Sequence, residues 1–464
     1  MAEFASASDD AVGCIRTLID AVTTRSTSKG AFVARDAIEF RRNDDAGVGV
    51  FATAPLAAGT VLITVPFSEC ISAETVMATA VGRDVVGPRP GLLQYQDEVI
   101  ALGLMYAVTL RARGEGDAAA CPWMEHLKTL PTSYNTPLFW SDEELAELKG
   151  YNTFHLTNLM KKQIAADWEA LHKPLSEEYP ELLGAATLEL YQWALSTVYS
   201  RAVGIVRKGV YTRCVPPIVD MANHSPDAAS DTAETLRYDE ARDTVSFVTT
   251  SSRAVGDECY AVYGRYPNGK LLYSYGFVVP HSPHRAIDLW TRVTPTVSNA
   301  ETKQQLLLAH DLTREQTYDF TGTLRGFDGA VSISPALLAT VRVIQVADAA
   351  ELEDVENAFR GEMISVRNER ATYVALRALL VNALKVQTAE EDKERLGQLL
   401  LGDTKRSDRR LMALVLRVEE RELVQECLAQ VDVWVAQLDD VGEAYVPPDS
   451  PLLKVKEAAP VATS

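Results

Sequence analysis

The spacing of hydrophobic and polar residues changes several times along the chain, and each change predicts a different kind of secondary structure. Residues 31–70 and 203–290 alternate short apolar runs with turns, which is the pattern of short β-strands. Residues 71–200 instead carry apolar residues at helical spacing, and Ser141 begins a capping box for one of these helices. The clearest strand-like runs are Phe32–Ile38, Gly49–Ala52, Val61–Val65, Val245–Thr249 and Cys259–Val262.

Helical spacing also marks both ends of the chain. An amphipathic stretch at residues 11–22 predicts a short helix, and the pattern beyond about residue 295 is almost wholly helical. The tail from Val446 is rich in Pro, Ala and Lys, a composition typical of disorder. We therefore predict an α+β fold with four parts: an N-terminal helix within residues 1–30, a β-rich domain over 31–290 with a helical insertion at about 71–200, an all-α domain over 291–440, and a disordered tail over 441–464.

The chain has 464 residues and a formal net charge of −19. Such a charge repels nucleic-acid phosphate, so we expect no nucleic-acid partner and favour a protein partner with a basic segment. A simpler alternative is that the acidic surface only keeps the protein soluble. No apolar run reaches the roughly 18 residues of a membrane span, so we expect no membrane partner. The N-terminal residues lack a signal or transit pattern, which favours a cytoplasmic location, with the nucleus as the alternative.

The six cysteines stand apart at positions 14, 70, 121, 214, 259 and 427, with no Cys-x-x-Cys pair among them. Separate cysteines fit a reducing compartment and do not form a zinc-binding pattern, so we expect no metal site. We also expect a monomer.

Three segments carry the candidate chemistry. Residues 216–224 read PPIVDMANH and residues 260–277 read YAVYGRYPNGKLLYSYGF, so both place polar groups within apolar surroundings. Buried polar groups are costly unless they are paired, and such segments therefore favour a site or a tight internal network. Residues 47–66 read GVGVFATAPLAAGTVLITVP, a glycine-rich turn followed by strand-like residues.

Together these segments resemble the motifs of SET-domain protein methyltransferases, in the branch typified by Rubisco large-subunit methyltransferase. They stand in the family's order, and the long insertion between the first and second is a mark of that branch. The resemblance covers roughly residues 31–440; its weakest part, between residues 368 and 421, resembles the branch's helical substrate-binding domain. It implies a SET core with a pseudoknot, S-adenosyl-L-methionine as cofactor and a protein substrate.

The resemblance also assigns roles to individual residues. Tyr263 matches the family's catalytic tyrosine, and Tyr275 matches a second aromatic residue of the channel through which the methyl group passes. Asn223 and His224 match a pair that contacts the cofactor, and Asp220 matches the acidic residue three positions before that pair.

The remaining expected contacts to the cofactor come from two other segments. Arg201 resembles an arginine that pairs with the cofactor carboxylate, a role suited to a bidentate guanidinium. Main-chain groups around Ala46, Gly47 and Val48 are expected to hold the methionine part, because glycine lets a backbone approach closely. Asn268 matches an asparagine of the closing motif and is expected to be structural or next to the cofactor.

The implied reaction is methyl transfer to a lysine nitrogen, which must arrive neutral and in line with the donor. The plant enzyme type has a further tyrosine at the position of Thr235, with Tyr238 nearby in this chain. The target is therefore less certain, and a histidine nitrogen is the alternative. A catalytically inactive SET-fold binding module is a second alternative.

Two further expectations concern residues outside the SET motifs. Gly47, Gly49 and Ala52 also fit a loose dinucleotide-binding fingerprint, but the polar residues before it and Pro55 after it argue against an oxidoreductase. We expect acidic residues of the C-terminal helices to contact a basic substrate protein, among them Glu351, Glu353 and Glu356.

Overall fold

The protein combines small antiparallel sheets with helices that lie between and after them, so the α+β prediction is confirmed. A computed structural model provides the structure. It describes residues 11–43, 46–115, 121–225, 235–292, 297–312, 319–327, 330–386, 391–402, 404–405 and 407–447.

Three small sheets and helix α1 (Ala11–Ser26) form the first core. Ile15 and Leu18 of α1 are buried against the sheets, as the amphipathic spacing requires. The segment Cys259–Val262 makes only isolated bridges, so the strand predicted there is wrong. The strands are β1 Phe32–Val33, β2 Ile38–Asn43, β3 Gly47–Ala52, β4 Val61–Pro66, β5 Ile71–Ser72, β6 Val203–Arg207, β7 Val210–Val215, β8 Leu236–Asp239 and β9 Thr244–Val248.

The order of the strands brings distant motifs together. One sheet has the order β1-β4-β9-β8, a second pairs β2 with β3, and a third has the order β5-β7-β6. His224 also forms a parallel bridge with Ala261, so the two polar motifs lie side by side.

Helices occupy the segment between β5 and β6. Helix α3 is buried along its whole apolar stretch from Val99 to Leu110 and packs against α9. Ser141 caps α5 as predicted, because its hydroxyl accepts a hydrogen bond from the Glu144 N–H while the Glu144 carboxylate accepts one from the Ser141 N–H. The helices are α2 Ala73–Met77, α3 Gln96–Ala112, α4 Met124–Leu127, α5 Asp142–Ala146, α6 Asn152–Asp167, α7 Lys173–Glu178, α8 Pro180–Leu183 and α9 Leu188–Arg201.

The C-terminal region is mainly helical, but the prediction of an all-α domain is wrong. Strands β10 (His284–Arg292), β11 (Asp319–Phe327) and β12 (Ala330–Ile333) form an antiparallel sheet, and β10 crosses the predicted boundary at residue 290. The helices are α10 Asn268–Tyr275, α11 Ala300–Ala309, α12 Pro335–Ile344, α13 Ala349–Glu353, α14 Glu356–Phe359, α15 Val366–Val386, α16 Glu391–Leu401 and α17 Arg409–Val441.

Helix α17 belongs to two cores at once. Its first part, Leu411–Val418, packs with Trp140, Leu145 and Leu272 of the preceding domain. Its later part packs with β10 and α15 in the C-terminal core. The two regions therefore share one long helix.

The predicted tail begins too early. Tyr445 is buried in the C-terminal core, and its hydroxyl lies 2.9 Å from the hydroxyl of Tyr373. The chain is thus packed up to this point, because a large aromatic ring at the end of α17 covers apolar surface. The rest of the predicted tail, residues 448–464, lies outside the described residues.

Candidate functional site

A cavity of about 1200 Å³ lies between the SET motifs and the C-terminal region. Helix α9 and strands β6 and β7 line one side, and residues 261–275 line another. Parts of β10, β11 and α17 complete the lining. Of the residues to which the sequence assigned roles, Arg201, Asp220, Tyr263 and Tyr275 line this cavity.

Arg201, Asp220 and His126 form a buried polar network beside the cavity. The Arg201 Nη1 donates to the backbone oxygen and to Oδ2 of Asp220, at 2.9 and 3.0 Å. The Nε2–H of His126 donates to the same Oδ2 at 3.0 Å. Burial alone would raise the pKa of the Asp220 carboxyl, but His126 and Arg201 lower it below its usual value. Asp220 is therefore an anion that holds Arg201 in place.

Arg201 keeps unused hydrogen-bonding capacity. Its Nε is buried and has no hydrogen-bond partner among the described residues. An arginine has five N–H donors, so a guanidinium held from one side by Asp220 retains donors for an anionic ligand. This arrangement fits the carboxylate expected from the sequence.

Tyr263 lies at the centre of an aromatic cluster. Its hydroxyl donates to the backbone oxygen of Ala222 at 2.9 Å, and its backbone N–H donates to Nδ1 of His224 at 3.2 Å. The ring centroids of His224 and Tyr275 each lie 5.1 Å from the Tyr263 centroid. Burial raises the pKa of Tyr263 to about 12, so the hydroxyl stays protonated at neutral pH.

His224 is a neutral histidine in this environment. Burial lowers its pKa to about 4, and its Nδ1 accepts a hydrogen bond from the Tyr263 N–H. The neutral ring therefore carries its proton on Nε2. The neighbouring rings of Tyr263 and Phe277 fix its orientation.

The glycine-rich segment lies next to Asn223 of the motif at residues 216–224. A Cβ placed on Gly49 would lie 2.3 Å from Oε1 of Glu258 and 3.0 Å from Nδ2 of Asn223, so a larger residue there would displace these two side chains. Asn223 donates to Glu258 at 2.7 Å. Ala46, Gly47 and Val48 precede this contact but do not line the cavity, and their cofactor role stays a prediction.

Tyrosines on and before α10 continue the cluster towards the cavity. Tyr266 stacks on Tyr275 with 6.1 Å between ring centroids, and burial raises the pKa of Tyr275. Tyr266 and Tyr273 also line the cavity. The tyrosines thus form a wall that presents rings and protonated hydroxyls.

Thr235 and Tyr238 have different positions. Thr235 is buried and lines the cavity, and its hydroxyl accepts a hydrogen bond from the Val262 N–H at 2.9 Å. The Tyr238 hydroxyl donates to Asp243, and Tyr238 is absent from the cavity lining. Tyr238 therefore does not replace the tyrosine expected at position 235.

Asn268 connects the SET core to helix α17 of the C-terminal region. Its amide donates to the backbone oxygen of Val279 at 2.8 Å and to Glu419 at 2.6 Å, and it accepts from the Val279 N–H. Of the two roles expected from the sequence, structural or next to the cofactor, these contacts favour the structural one.

The sequence did not single out several polar residues of the site. Arg213 and Lys270 line the cavity, and burial followed by the charge of Arg213 lowers the pKa of Lys270. Glu420 lines it from α17. Glu258 contacts Asn223 from outside the lining. Lys270 lies within the motif at residues 260–277, but nothing in that motif selected it, whereas Arg213, Glu258 and Glu420 reach the site through tertiary packing.

Comparison with known proteins identifies the class of fold. Residues 294–424 match the family model of the Rubisco LSMT substrate-binding domain. The structure superposes on a crystal structure of the SET domain of LSMT bound to lysine and AdoHcy with a TM-score of 0.73, at 20% identity and with 94% of each chain covered. A structure of Rubisco LSMT bound to AdoMet gives 0.71 at 19% identity, covering 96% of this chain and 99% of that one.

Curated relatives point to the same group. The actin-histidine N-methyltransferase of Mus musculus is 24% identical over 410 residues, which cover 83% of this chain and 64% of that protein. The chloroplastic [fructose-bisphosphate aldolase]-lysine N-methyltransferase of Arabidopsis thaliana is 26% identical over 397 residues, which cover 82% of this chain and 76% of that protein. This chain thus spans slightly less than two thirds of the mouse protein.

The chain has the fold of a SET-domain protein. More narrowly, this fold is that of the Rubisco LSMT structures, and residues 294–424 match the model of the Rubisco LSMT substrate-binding domain. The resemblance inferred from the three motifs is confirmed at this level. Among the described residues, no helix has the length and apolar character needed to cross a membrane.

Proposed function

We propose that this protein is an S-adenosylmethionine-dependent protein methyltransferase, most simply a protein-lysine N-methyltransferase. The observation that carries the proposal is one cavity lined by both an anchored arginine and an aromatic cluster: Arg201 fixed by Asp220, and Tyr263 beside Tyr275. The cofactor, when bound, supplies an electrophilic methyl group on a sulfonium.

The described residues fit this cofactor. The buried, unpartnered Nε of Arg201 offers a donor for a carboxylate. The faces of aromatic rings suit a cationic group such as a sulfonium, because the ring quadrupole is negative at the face. Asn223 and His224 lie next to Tyr263 and would complete the site from the other polar motif.

The protein's own residues bind and orient the substrate and keep water out of the cavity. Tyr263 is fixed by its hydrogen bond to Ala222, so its ring and hydroxyl form a rigid wall of the cavity. A rigid wall aligns the acceptor nitrogen with the methyl group, and such positioning can supply several kcal/mol of barrier reduction. No strong base is required if the nitrogen arrives neutral.

The pKa of Lys270 shows how the cavity affects an ammonium group. Burial, and then the charge of Arg213, lower the pKa of Lys270 although it belongs to the protein itself. We expect a substrate lysine that enters this cavity to lose water in the same way. Its pKa, normally near 10.4, would therefore also fall, and the neutral amine that accepts a methyl group becomes accessible.

A histidine acceptor is the second candidate. The actin-histidine methyltransferases among the relatives favour it, and Thr235 stands where the lysine-specific plant type has a tyrosine. An imidazole is already neutral at pH 7, so it needs no lowering of its pKa. For either acceptor, we propose a protein with a basic segment as the substrate.

Isothermal titration calorimetry and methyl-transfer assays test the proposal. The wild-type protein should bind S-adenosylmethionine and S-adenosylhomocysteine, and Arg201→Ala should bind both at least tenfold more weakly. Incubation of cell extract with labelled cofactor, followed by hydrolysis of the labelled proteins, would separate methyllysine from methylhistidine. A folded wild-type protein that binds neither cofactor form would contradict the proposal.

A further inference from the structure

Helix α17 contributes a buried carboxyl to the cavity, at the junction of the SET core and the C-terminal region. Glu420 is 8% exposed, and its side chain lines the cavity. Its Oε2 is buried and has no hydrogen-bond partner among the described residues. A buried polar atom without a partner costs on the order of 1–3 kcal/mol, and more when it is charged. Such an atom is expected where a ligand supplies the missing hydrogen bond.

The surroundings of Glu420 leave space on the side of the SET core. A Cβ added to Gly269 of α10 would lie 3.5 Å from Oε1 of Glu420 and 3.3 Å from Oγ1 of Thr153 on α6. Gly269 and Thr153 bring no charge to this place. The small residue at position 269 therefore keeps open a polar end of the cavity, bounded by α6, α10 and α17.

The charges that face Glu420 are negative. Burial, together with the charges of Asp288 of β10 and the neighbouring Glu419, raises the pKa of its carboxyl to about 8. Glu419 is already engaged, because it accepts from the Asn268 amide and from the His281 N–H. With this pKa the carboxyl of Glu420 is protonated at neutral pH when the site is empty, and a cationic side chain that binds beside it would favour its ionised form.

We propose that Glu420 is the recognition group of a second subsite, which binds a lysine or arginine side chain of the substrate protein close to the residue that is methylated. This inference rests on the proposed function and names a feature of its substrate. A guanidinium is the better fit, because it can donate two parallel hydrogen bonds to one carboxylate.

Helix α10 sets the spacing between the two subsites. Gly269 lies beside Glu420, and Tyr275 lies in the aromatic cluster six residues further along the helix. At 1.5 Å per residue this separation is about 9 Å along the helix axis. An extended peptide rises about 3.3 Å per residue. The basic side chain is therefore expected about three residues from the methyl-accepting residue.

Fluorescence anisotropy with labelled peptides tests the subsite. Each peptide has a central lysine or histidine in a neutral sequence, and a single arginine is moved stepwise along either flank. Titrations are made in the presence of S-adenosylhomocysteine, so that no turnover is needed. The wild type should bind at least tenfold more tightly when the arginine stands about three residues from the centre. Glu420→Gln should remove this preference.

Two further variants make the result specific. Glu422→Gln is the matched control, because Glu422 lies on the same helix, pairs with Lys393 and is absent from the cavity lining; it should keep the preference. Gly269→Ala narrows the subsite from the SET side and should weaken the preference several-fold, which tests the subsite even if Glu420→Gln does not fold.

The outcomes separate the subsite from the proposed function. If S-adenosylhomocysteine does not bind to the folded wild type, the proposed function is contradicted. If it binds, but peptides with arginine in every register bind equally or not at all, the subsite is wrong while the methyltransferase proposal stands. A preference that survives in both Glu420→Gln and Gly269→Ala would also overturn the subsite.

Discussion

The guanidinium of Arg201 is held by Asp220 through two hydrogen bonds, one to the backbone oxygen and one to the side chain. This contact joins the last residue of α9 to the turn that precedes Asn223 and His224. The Asp220 side chain is fully buried, so its charge is balanced from within the protein by Arg201, while His126 donates a further hydrogen bond to it. The expected cofactor residue Asp220 thus acts on the site through Arg201.

Replacing Asp220 with Asn should destabilise the protein and weaken cofactor binding. Removal of one partner leaves Arg201 and His126 without their anion, and breaking a buried pair in this way costs about 3–5 kcal/mol. Urea denaturation would measure the loss in unfolding free energy, and calorimetry would measure binding of S-adenosylmethionine. Arg35→Gln breaks the exposed pair with Asp20 and should cost no more than about 1 kcal/mol. Equal losses in the two variants would show that the buried network is not special.

Replacing Tyr263 with Phe should lower turnover far more than cofactor affinity. The hydroxyl is buried and bonded to Ala222, so its loss loosens the wall at which the methyl group is expected to transfer. An interaction used mainly in the transition state lowers kcat and kcat/KM together, and we expect at least a tenfold decrease in both. Steady-state kinetics with calorimetry would separate the two effects.

A tyrosine outside the cavity provides the control for this experiment. The Tyr238 hydroxyl is also hydrogen-bonded, to Asp243, but it does not line the cavity. Tyr238→Phe should therefore leave kcat within about twofold of the wild type. If Tyr263→Phe retained full turnover in a folded protein, Tyr275 would become the candidate for the catalytic role.

Short motifs allowed part of the site to be predicted from the sequence. Tyr263 and His224 lie together because the bridge between residues 224 and 261 joins the two motifs, and the family resemblance had already assigned both motifs to one site. The position of Glu420 could not be predicted in this way. Its burial depends on the packing of α17 against α10, and these helices are far apart in the sequence.

The fold shows the same division between local and long-range information. The capping box at Ser141 was predictable, because its two hydrogen bonds join residues three apart. Strand β11 was not, since Gly322 and Gly326 weaken its strand character and its pairing with β10 is long-range. Glu351 was expected to contact a substrate but is buried, where it accepts hydrogen bonds from Arg367 and Ser365.

His172 should make the protein sensitive to acid. It is almost fully buried, neither of its ring nitrogens has a partner among the described residues, and burial lowers its pKa to about 4. An unfolded histidine has a pKa near 6.5, so the unfolded state takes up the proton first as the pH falls. The stability that depends on His172 is therefore intact above pH 6.5 and decreases as the pH falls towards 4.

The variant His172→Phe should remove this part of the pH dependence. Between pH 7 and pH 5 the wild type should lose about 2 kcal/mol of unfolding free energy through His172, and the variant should lose that much less. Urea denaturation at both pH values would measure the difference. His155→Gln, at an exposed position, is the control for the loss of one imidazole. Identical profiles for the wild type and His172→Phe would show that His172 is not responsible.

The role of the C-terminal region in substrate choice is difficult to test by deletion. A truncation from about residue 300 removes α17, whose residues Leu411–Val418 cover Trp140, Leu145 and Leu272. Exposure of this apolar surface should unfold the remaining SET core, so loss of activity would carry no information about docking. Substitutions on the surface of the region are the better test.

Charge reversal at Glu353 and Glu356 is such a test. Both residues are exposed, whereas a change at buried Glu351 would break its pairing with Arg367 and damage the fold. If these acids attract a basic substrate, Glu353→Lys with Glu356→Lys should raise KM for the protein substrate several-fold, with little change in kcat or in cofactor affinity.

The effect should be largest at low ionic strength, because exposed charges are screened over about 10 Å at 0.1 M salt. Kinetics on the methylated protein at two salt concentrations would measure it, and Asp432→Lys with Asp439→Lys, at exposed positions on α17, is the control with the same change of net charge. An equal rise in KM for the control would assign the effect to overall charge, and an unchanged KM for the double variant would remove this face from the docking surface.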